Sequence, residues 1–320
     1  MTWKRTVLFL LIFVAVASLY YFKVYQPRPT EAVFSFSPES AKTPILALSD
    51  KKSITHLSIQ NASQGILLSF AKEKEGIWRI TQPINYPAES MIIDGFVSLL
   101  RLTPRVRQLS FDGLESKEFG FDTPRFSICV LADLFPKERC LFIASDAAIA
   151  KGAYAKWNDE NKYFLIDRNF LSVFDKTLYS VRKKQIFTLL GNEVSAIHFQ
   201  SQKREFEIHR QGKNWMLKKP VEALMGSQAI NELLIHLNGL YVKEFLDAQR
   251  PDDSKLGLKP AHRVIRINFQ DGSEQALIQG REAAGRDAYY ARIGDEKTVI
   301  LLSLGKANQI AEKFQKLVSS

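Results

Sequence analysis

Apolar and polar residues alternate along most of this chain. Residues 54–59, 65–70 and 77–80 follow the two-residue period of half-buried strands and predict a meander. An apolar stripe at Ile93, Phe96, Val97 and Leu100 then takes the i, i+3, i+4, i+7 spacing of an amphipathic helix. Strands are predicted near 126–131, 140–144, 153–157 and 163–166, followed by a short helix over 169–175. The pattern then runs again. A second stripe at Ile230, Leu233, Leu234 and Leu237 precedes two strands, 264–269 and 275–278, joined by the hairpin turn Asp271-Gly272. A terminal helix carries Ile310, Phe314 and Leu317 on one face.

The recurrence is a repeat. Trp78 to Pro83 reads WRITQP and Trp215 to Pro220 reads WMLKKP, an offset of 137 residues (215 − 78). All four positions of the helical stripe recur at 137. So do Ser90 and Ser227, which stand where N-cap residues are expected. Phe119-Gly120-Phe121 with Pro124 is answered by Leu256-Gly257-Leu258 with Pro260, the glycines at 137 and the prolines at 136. After that lost residue, Tyr154-Ala155-Lys156 and Tyr290-Ala291-Arg292 keep to 136. The expected fold class is α+β: two tandem copies of a mostly antiparallel sheet unit with an amphipathic helix, preceded by one N-terminal transmembrane helix.

That helix is predicted from residues 6–22, which carry no charge and would rise about 25 Å. Lys4 and Arg5 on its N-terminal side predict a cytoplasmic N-terminus, an inner-membrane location and a periplasmic or extracellular bulk. The competing reading is a cleaved signal peptide with Ala15-Val16-Ala17 as the cleavage site; the apolar run continuing through Leu19 to Phe22 favours an uncleaved anchor. Pro27, Pro29, Pro38 and Pro44 then predict an extended spacer. The predicted organisation is a transmembrane anchor over 1–25, a Pro-rich spacer over 26–50, copy one over 51–180 and copy two over 181–320.

W-x-x-x-x-P before an amphipathic helix, F/L-G-F/L-x-x-P and a Tyr-Ala-basic strand, all repeated, resemble the DUF4340 family of bacterial proteins, a domain of unknown function. The resemblance covers most of residues 54–313. It implies a membrane-anchored extracytoplasmic protein with an accessory role in an envelope or ABC-transporter-type complex. It carries over no catalytic residue.

Composition adds little chemistry. The net charge of +10 begins with four cations before the first acidic residue, Glu31, so it is not a nucleic-acid-binding surface. The basic runs Arg182-Lys183-Lys184 and Lys218-Lys219 read as solvated surface. His56, His198, His209, His236 and His262 are scattered, and His198 and His209, eleven residues apart in a strand-like segment, make a weak metal signal. No P-loop, nucleophile elbow or dinucleotide fingerprint occurs, and GREAAG at Gly280 lacks the required glycines. No catalytic motif, cofactor site or metal site is predicted.

Cys129 and Cys140 are symmetric about a point in the loop 133–136, so a hairpin turning there would face them across an antiparallel pair as a candidate disulfide. The alternative is two free buried strand thiols. Trp78, Pro83, Gly120, Tyr154, Trp215, Pro220, Gly257 and Tyr290 read as structural repeat residues; the rival reading places the tryptophans and the Tyr-Ala-basic strands in a groove between the copies. Two functions follow: an interaction module docking an envelope protein, or a carrier or sensor of a small ligand held in the cleft between the copies. An envelope enzyme with an unrecognised carboxylate site is a third.

Overall fold

The computed structural model describes residues 43–48, 53–74, 76–109, 116–133, 137–147, 152–247 and 252–319, with Trp3, Val14 and Ser18. It divides into two compact units, one containing residues to 85 and 90–177, the other Tyr86–Glu89 and Leu178–Ser320.

The first sheet has strands β1 (Ile54–Asn61), β2 (Ile66–Lys72), β3 (Trp78–Gln82), β4 (Tyr86–Pro87), β5 (Arg107–Leu109), β6 (Phe126–Ala132), β7 (Arg139–Asp146), β8 (Gly152–Trp157) and β9 (Tyr163–Asp167), in the order β4-β3-β2-β1-β6-β7-β8-β9-β5. Two meanders meet where β1 pairs antiparallel with β6. Helix α1 (Ser90–Leu102) connects β4 to β5, and α2 (Arg168–Phe174) follows β9.

After the short helix α3 (Leu178–Val181) the plan is repeated. Strands β10 (Val194–Ser201), β11 (Glu205–Gln211), β12 (Asn214–Lys219), β13 (Ala223–Met225), β14 (Val242–Phe245), β15 (Arg263–Phe269), β16 (Glu274–Ala283), β17 (Ala288–Ile293) and β18 (Ile300–Ser303) take the order β13-β12-β11-β10-β15-β16-β17-β18-β14. Each strand stands nine numbers after its counterpart. Helix α4 (Ser227–Asn238) and the longer α5 (Leu304–Ser319) complete the unit.

The helices bury the stripes that their sequences set out: Ile93, Phe96 and Leu100 on α1, and Ile230, Leu233, Leu234 and Leu237 on α4. At about 1.5–3 kcal/mol per large aliphatic side chain removed from water, each stripe is a main source of its unit's stability. Val97 is only half-buried. Ser90 and Ser227 do not cap; each is the first residue of its helix. The Ser90 hydroxyl instead accepts the Trp78 backbone N–H at 3.1 Å, and Gly226 is the N-cap of α4.

Each unit opens with a lead-in segment. The Arg105 and Ile45 N–H groups donate to Thr43 and Thr103 carbonyls at 2.8 Å, as Val242 and Ile186 donate to Lys184 and Leu240 in the second unit. Ile45 and Leu46, within the stretch read as spacer, are fully buried.

The expected fold class is corrected. Each unit is a nine-stranded antiparallel sheet with few helices, and among the described residues no helix is long and apolar enough to cross a membrane. The run 6–22 lies, apart from Val14 and Ser18, outside the described residues, as do most of the spacer 26–50 and the turn residues 134–136. Seventeen helical residues rise about 25 Å against roughly 30 Å of hydrocarbon, so an apolar run of that length does not by itself make a span.

A second correction concerns Arg182, read from sequence as solvated. Its side chain is 1% exposed, between the rings of Tyr86 and Phe245 at 4.3 and 3.6 Å, with Nη1 donating to Asp247 at 2.6 Å. Burial pushes the Tyr86 hydroxyl up to about 12, against the opposing pull of Arg182. A charge run is a solvated face only where no aromatic cradle receives it.

Candidate functional site

Of the repeat residues, the two tryptophans sit in the cores of their own units, whereas Pro83 and Pro220 are exposed and Gly120, Tyr154, Gly257 and Tyr290 are partly buried. Trp78 and Trp215 are 1% and 5% exposed and lie at the start of β3 and β12. Each ring carries a cation from the neighbouring strand, Lys72 at 5.4 Å and Arg210 at 5.6 Å, at equivalent places in the pairing register. Trp78 Nε1 also donates to Asp94 at 2.8 Å. Pro83 and Pro220 follow the last residues of these strands, both after cis peptide bonds. Gly120 and Gly257 have φ of +81° and +67°, which a side chain would strain. Tyr154 packs edge-on to Phe119 at 4.8 Å, whereas Tyr290 packs on the aliphatic cluster of Leu246, Leu256 and Leu258. Cys129 and Cys140 pair directly across β6 and β7 and are joined by a disulfide.

The chemistry collects elsewhere, on the outer face of the second sheet around the β10–β11 hairpin. Strand alternation turns Ile197, Phe199, Phe206 and Ile208 into the core and sends His198, Glu205, Glu207 and His209 outward. His198 lies opposite Glu207 on one side and Arg266 on the other. The His198 and His209 rings meet edge to face at 5.5 Å, and His209 Nε2 lies 2.6 Å from Glu207 Oε1. Lys219 reaches Glu205 at 3.0 Å and Glu207 at 3.3 Å, and Arg266 lies 3.8 Å from Glu274.

The electrostatics follow from these partners. The hydrogen bond from His209, with Lys219 behind it, holds Glu207 below the usual carboxylate range. Lys219 is raised by its bonds to Glu205 and Glu207. Burial lowers His198, with Glu207 opposing and His209 and Arg266 adding to the effect. At neutral pH, His198 is therefore an uncharged ring within a lattice of ion pairs.

At the tip, the Ser201 hydroxyl accepts the Arg204 N–H at 3.1 Å and closes the turn, leaving Lys203 and Arg204 exposed. Beside them is a depression of about 330 Å³ lined by Phe199, Phe206, His262, Arg263, Ala311 and Gln315 among others. A neighbouring one of about 620 Å³ is bounded by Lys203, Glu205, Lys219, Pro220, Gln315 and Val318 among others. Both are shallow and of mixed polarity, with cations at the rim and phenylalanines at the floor. Such a surface can pair with acidic groups and cover an apolar contact.

The sequence model of the family described as a domain of unknown function, DUF4340, matches residues 78–261 and again 215–320. The chain belongs to the DUF4340 family. The two matches begin at the two motif tryptophans, consistent with tandem copies of the DUF4340 unit. No curated protein and no solved structure matches the chain.

The sequence of this DUF4340 protein carries part of the signal for the outward face, in a histidine pair that reads there only as a weak metal signal. His198 and His209 are eleven residues apart, as Cys129 and Cys140 are, but only the cysteines are centred on their hairpin. The cysteines are directly opposed, whereas the histidines are diagonal because Ala196 pairs with His209.

Proposed function

We propose that this DUF4340 chain is an extracytoplasmic interaction module, an accessory component of an envelope or ABC-transporter-type complex, and that its protein partner docks on the outer face of the second sheet around the β10–β11 hairpin. The observation that carries this reading is a contrast between equivalent positions. The first sheet presents Ser58, Leu67, Ser69, Ala71 and Gln82 where the second presents His198, Glu205, Glu207, His209 and Lys219. At these five positions one copy is neutral, with His56 exposed beside them; the other concentrates ionisable groups that the fold does not require. The disulfide supports a location outside the cytoplasm, where oxidising conditions preserve such bonds. No reaction is assigned.

One observation favours a ligand-binding reading at this same face, in place of the cleft between the copies: the depression beside Lys203 and Lys219, about 620 Å³, falls in the size range of ligand pockets. A photo-crosslinking residue at position 203, with position 64 of the first hairpin as control, separates the readings. Docking predicts one envelope protein cross-linked from 203 and not from 64. Cross-links to no protein, with the chain displayed in its native envelope, would overturn it.

A further inference from the structure

Among the described residues of the second sheet, no three metal-capable side chains converge. Among the described residues, one group of three does: Cys129, Glu138 and Cys140, whose donor atoms lie within 4.8 Å of one another. We propose that reduction of the disulfide turns these three residues into a Zn²⁺ site on the outer face of the first sheet.

The geometry suits this. Cys129 and Cys140 are directly opposed in the β6–β7 register, and both are partly exposed. The Glu138 carboxylate lies 3.9 Å from Cys140 Sγ. Asn158 fixes the backbone that carries both residues: its Oδ1 accepts the Cys140 N–H at 2.9 Å, and its own N–H donates to the Cys140 carbonyl at 2.9 Å. Arg139, between Glu138 and Cys140, alternates to the other face, where it pairs with Asp159 and Glu160 and covers the Trp157 ring. It therefore does not compete for the carboxylate.

Two thiolates on a tetrahedral zinc, each with a bond of about 2.3 Å, sit about 3.7 Å apart, a separation that a cross-strand pair allows. Two sulfurs and one carboxylate oxygen make three ligands, and water takes the fourth position. The donor set is thiophilic, which favours Zn²⁺ over Mg²⁺ or Ca²⁺. In the oxidised chain each sulfur is bonded to the other and neither is a thiolate, so the site is closed. Opening it needs a two-electron reductant as the Cys129–Cys140 bond breaks and two thiols form: a dithiol is oxidised to its disulfide, or a phosphine with water to its oxide. Zn²⁺ then displaces the two thiol protons.

The test uses the full chain, reduced with a phosphine and titrated with Co²⁺. The expected result is a thiolate-to-Co²⁺ charge-transfer band with tetrahedral d–d bands, saturating at one equivalent and displaced by Zn²⁺. Glu138→Gln should weaken binding at least tenfold, and Cys129→Ser should abolish the band. In the unsubstituted reduced chain, Zn²⁺ should protect both thiols from alkylation. The proposal is overturned if the reduced, folded chain gives no band and alkylates equally with Zn²⁺ present. It is also overturned if the oxidised chain binds as well, or if reduction alone unfolds the sheet.

Discussion

The two hairpin ends, β1–β2 in the first unit and β10–β11 in the second, share a register but differ in how they are finished. In the first, Asp175 follows α2 and its Oδ1 accepts from both Asn61 and Gln64 at 2.9 Å, while Asn61 Oδ1 accepts the Ser63 hydroxyl at 2.7 Å. The turn is tied down and Asn61 is buried. In the second, the residue equivalent to Asp175 is Ala311, at the same offset of 136 that relates Tyr154 to Tyr290. Helix α5 runs on to Ser319, and Ala311 lines the depression instead of tying the turn. The Asp175 carboxylate ties the first turn to the residue after its helix, whereas the second, shorter turn is closed within itself by the Ser201 hydroxyl.

The comparison breaks most severely at the shared tryptophans. Trp78→Ala and Trp215→Ala should each cost about 3–5 kcal/mol by denaturant unfolding, because both rings are core. Trp78→Phe should lose more than Trp215→Phe, by about 1 kcal/mol, since Trp78 also donates to Asp94. Equal losses would mean that this bond contributes nothing.

Next in size is the bridge that the first sheet has and the second lacks. With its ends eleven positions apart in sequence, replacing Cys129 and Cys140 together by Ala should cost about 3 kcal/mol from loop entropy alone. Replacing Arg266 and Ala276, the equivalent pair, by Ser should change stability by less than about 0.5 kcal/mol. Asp175→Ala should follow at about 1–3 kcal/mol, because it leaves the buried Asn61 amide unpaired. Ala311→Gly, its counterpart, should cost no more than the helix propensity difference of about 1 kcal/mol.

The smallest effect is on pH dependence. The folded pKa values of His198 and Glu207 are both depressed, so their contribution to stability is present above the unfolded values and lost on acidification. For His198 the loss begins as pH falls below its ordinary 6.5, and for Glu207 below 4.5. Tryptophan or amide probes in the second unit should therefore report destabilisation at milder acid than those in the first. His198→Gln should remove the upper phase; an unchanged profile would show that His198 does not govern it.

The repeat, its helices and its long strands were legible because their apolar periods are local properties of the chain. The edge strands β4, β5, β13 and β14, of two to four residues, carry no period and were missed. Arg182 was misread because its ring partners, Tyr86 and Phe245, lie far away in sequence. The candidate site was hidden differently. Each outward residue resembles ordinary strand polarity, and only the register across β10, β11, β12 and β15 assembles them. The spacing of Cys129 and Cys140 raised the question of a bridge because two cysteines across a hairpin can bond; two histidines at the same spacing read only as a weak metal signal.

The most direct measurement compares the two hairpin ends as docking surfaces. Full-length chain carrying Lys203→Glu with Arg204→Glu, and a matched Ser63→Glu with Gln64→Glu variant, would be used to capture partners from the native envelope, with stability checked by unfolding. The account predicts that both variants remain folded, that only the second-hairpin variant loses its envelope partner, and that the first-hairpin variant retains it. Retention of the same partner by the Lys203 and Arg204 variant, or equal loss from both, would contradict the claim that the second unit's charged face is where this protein works.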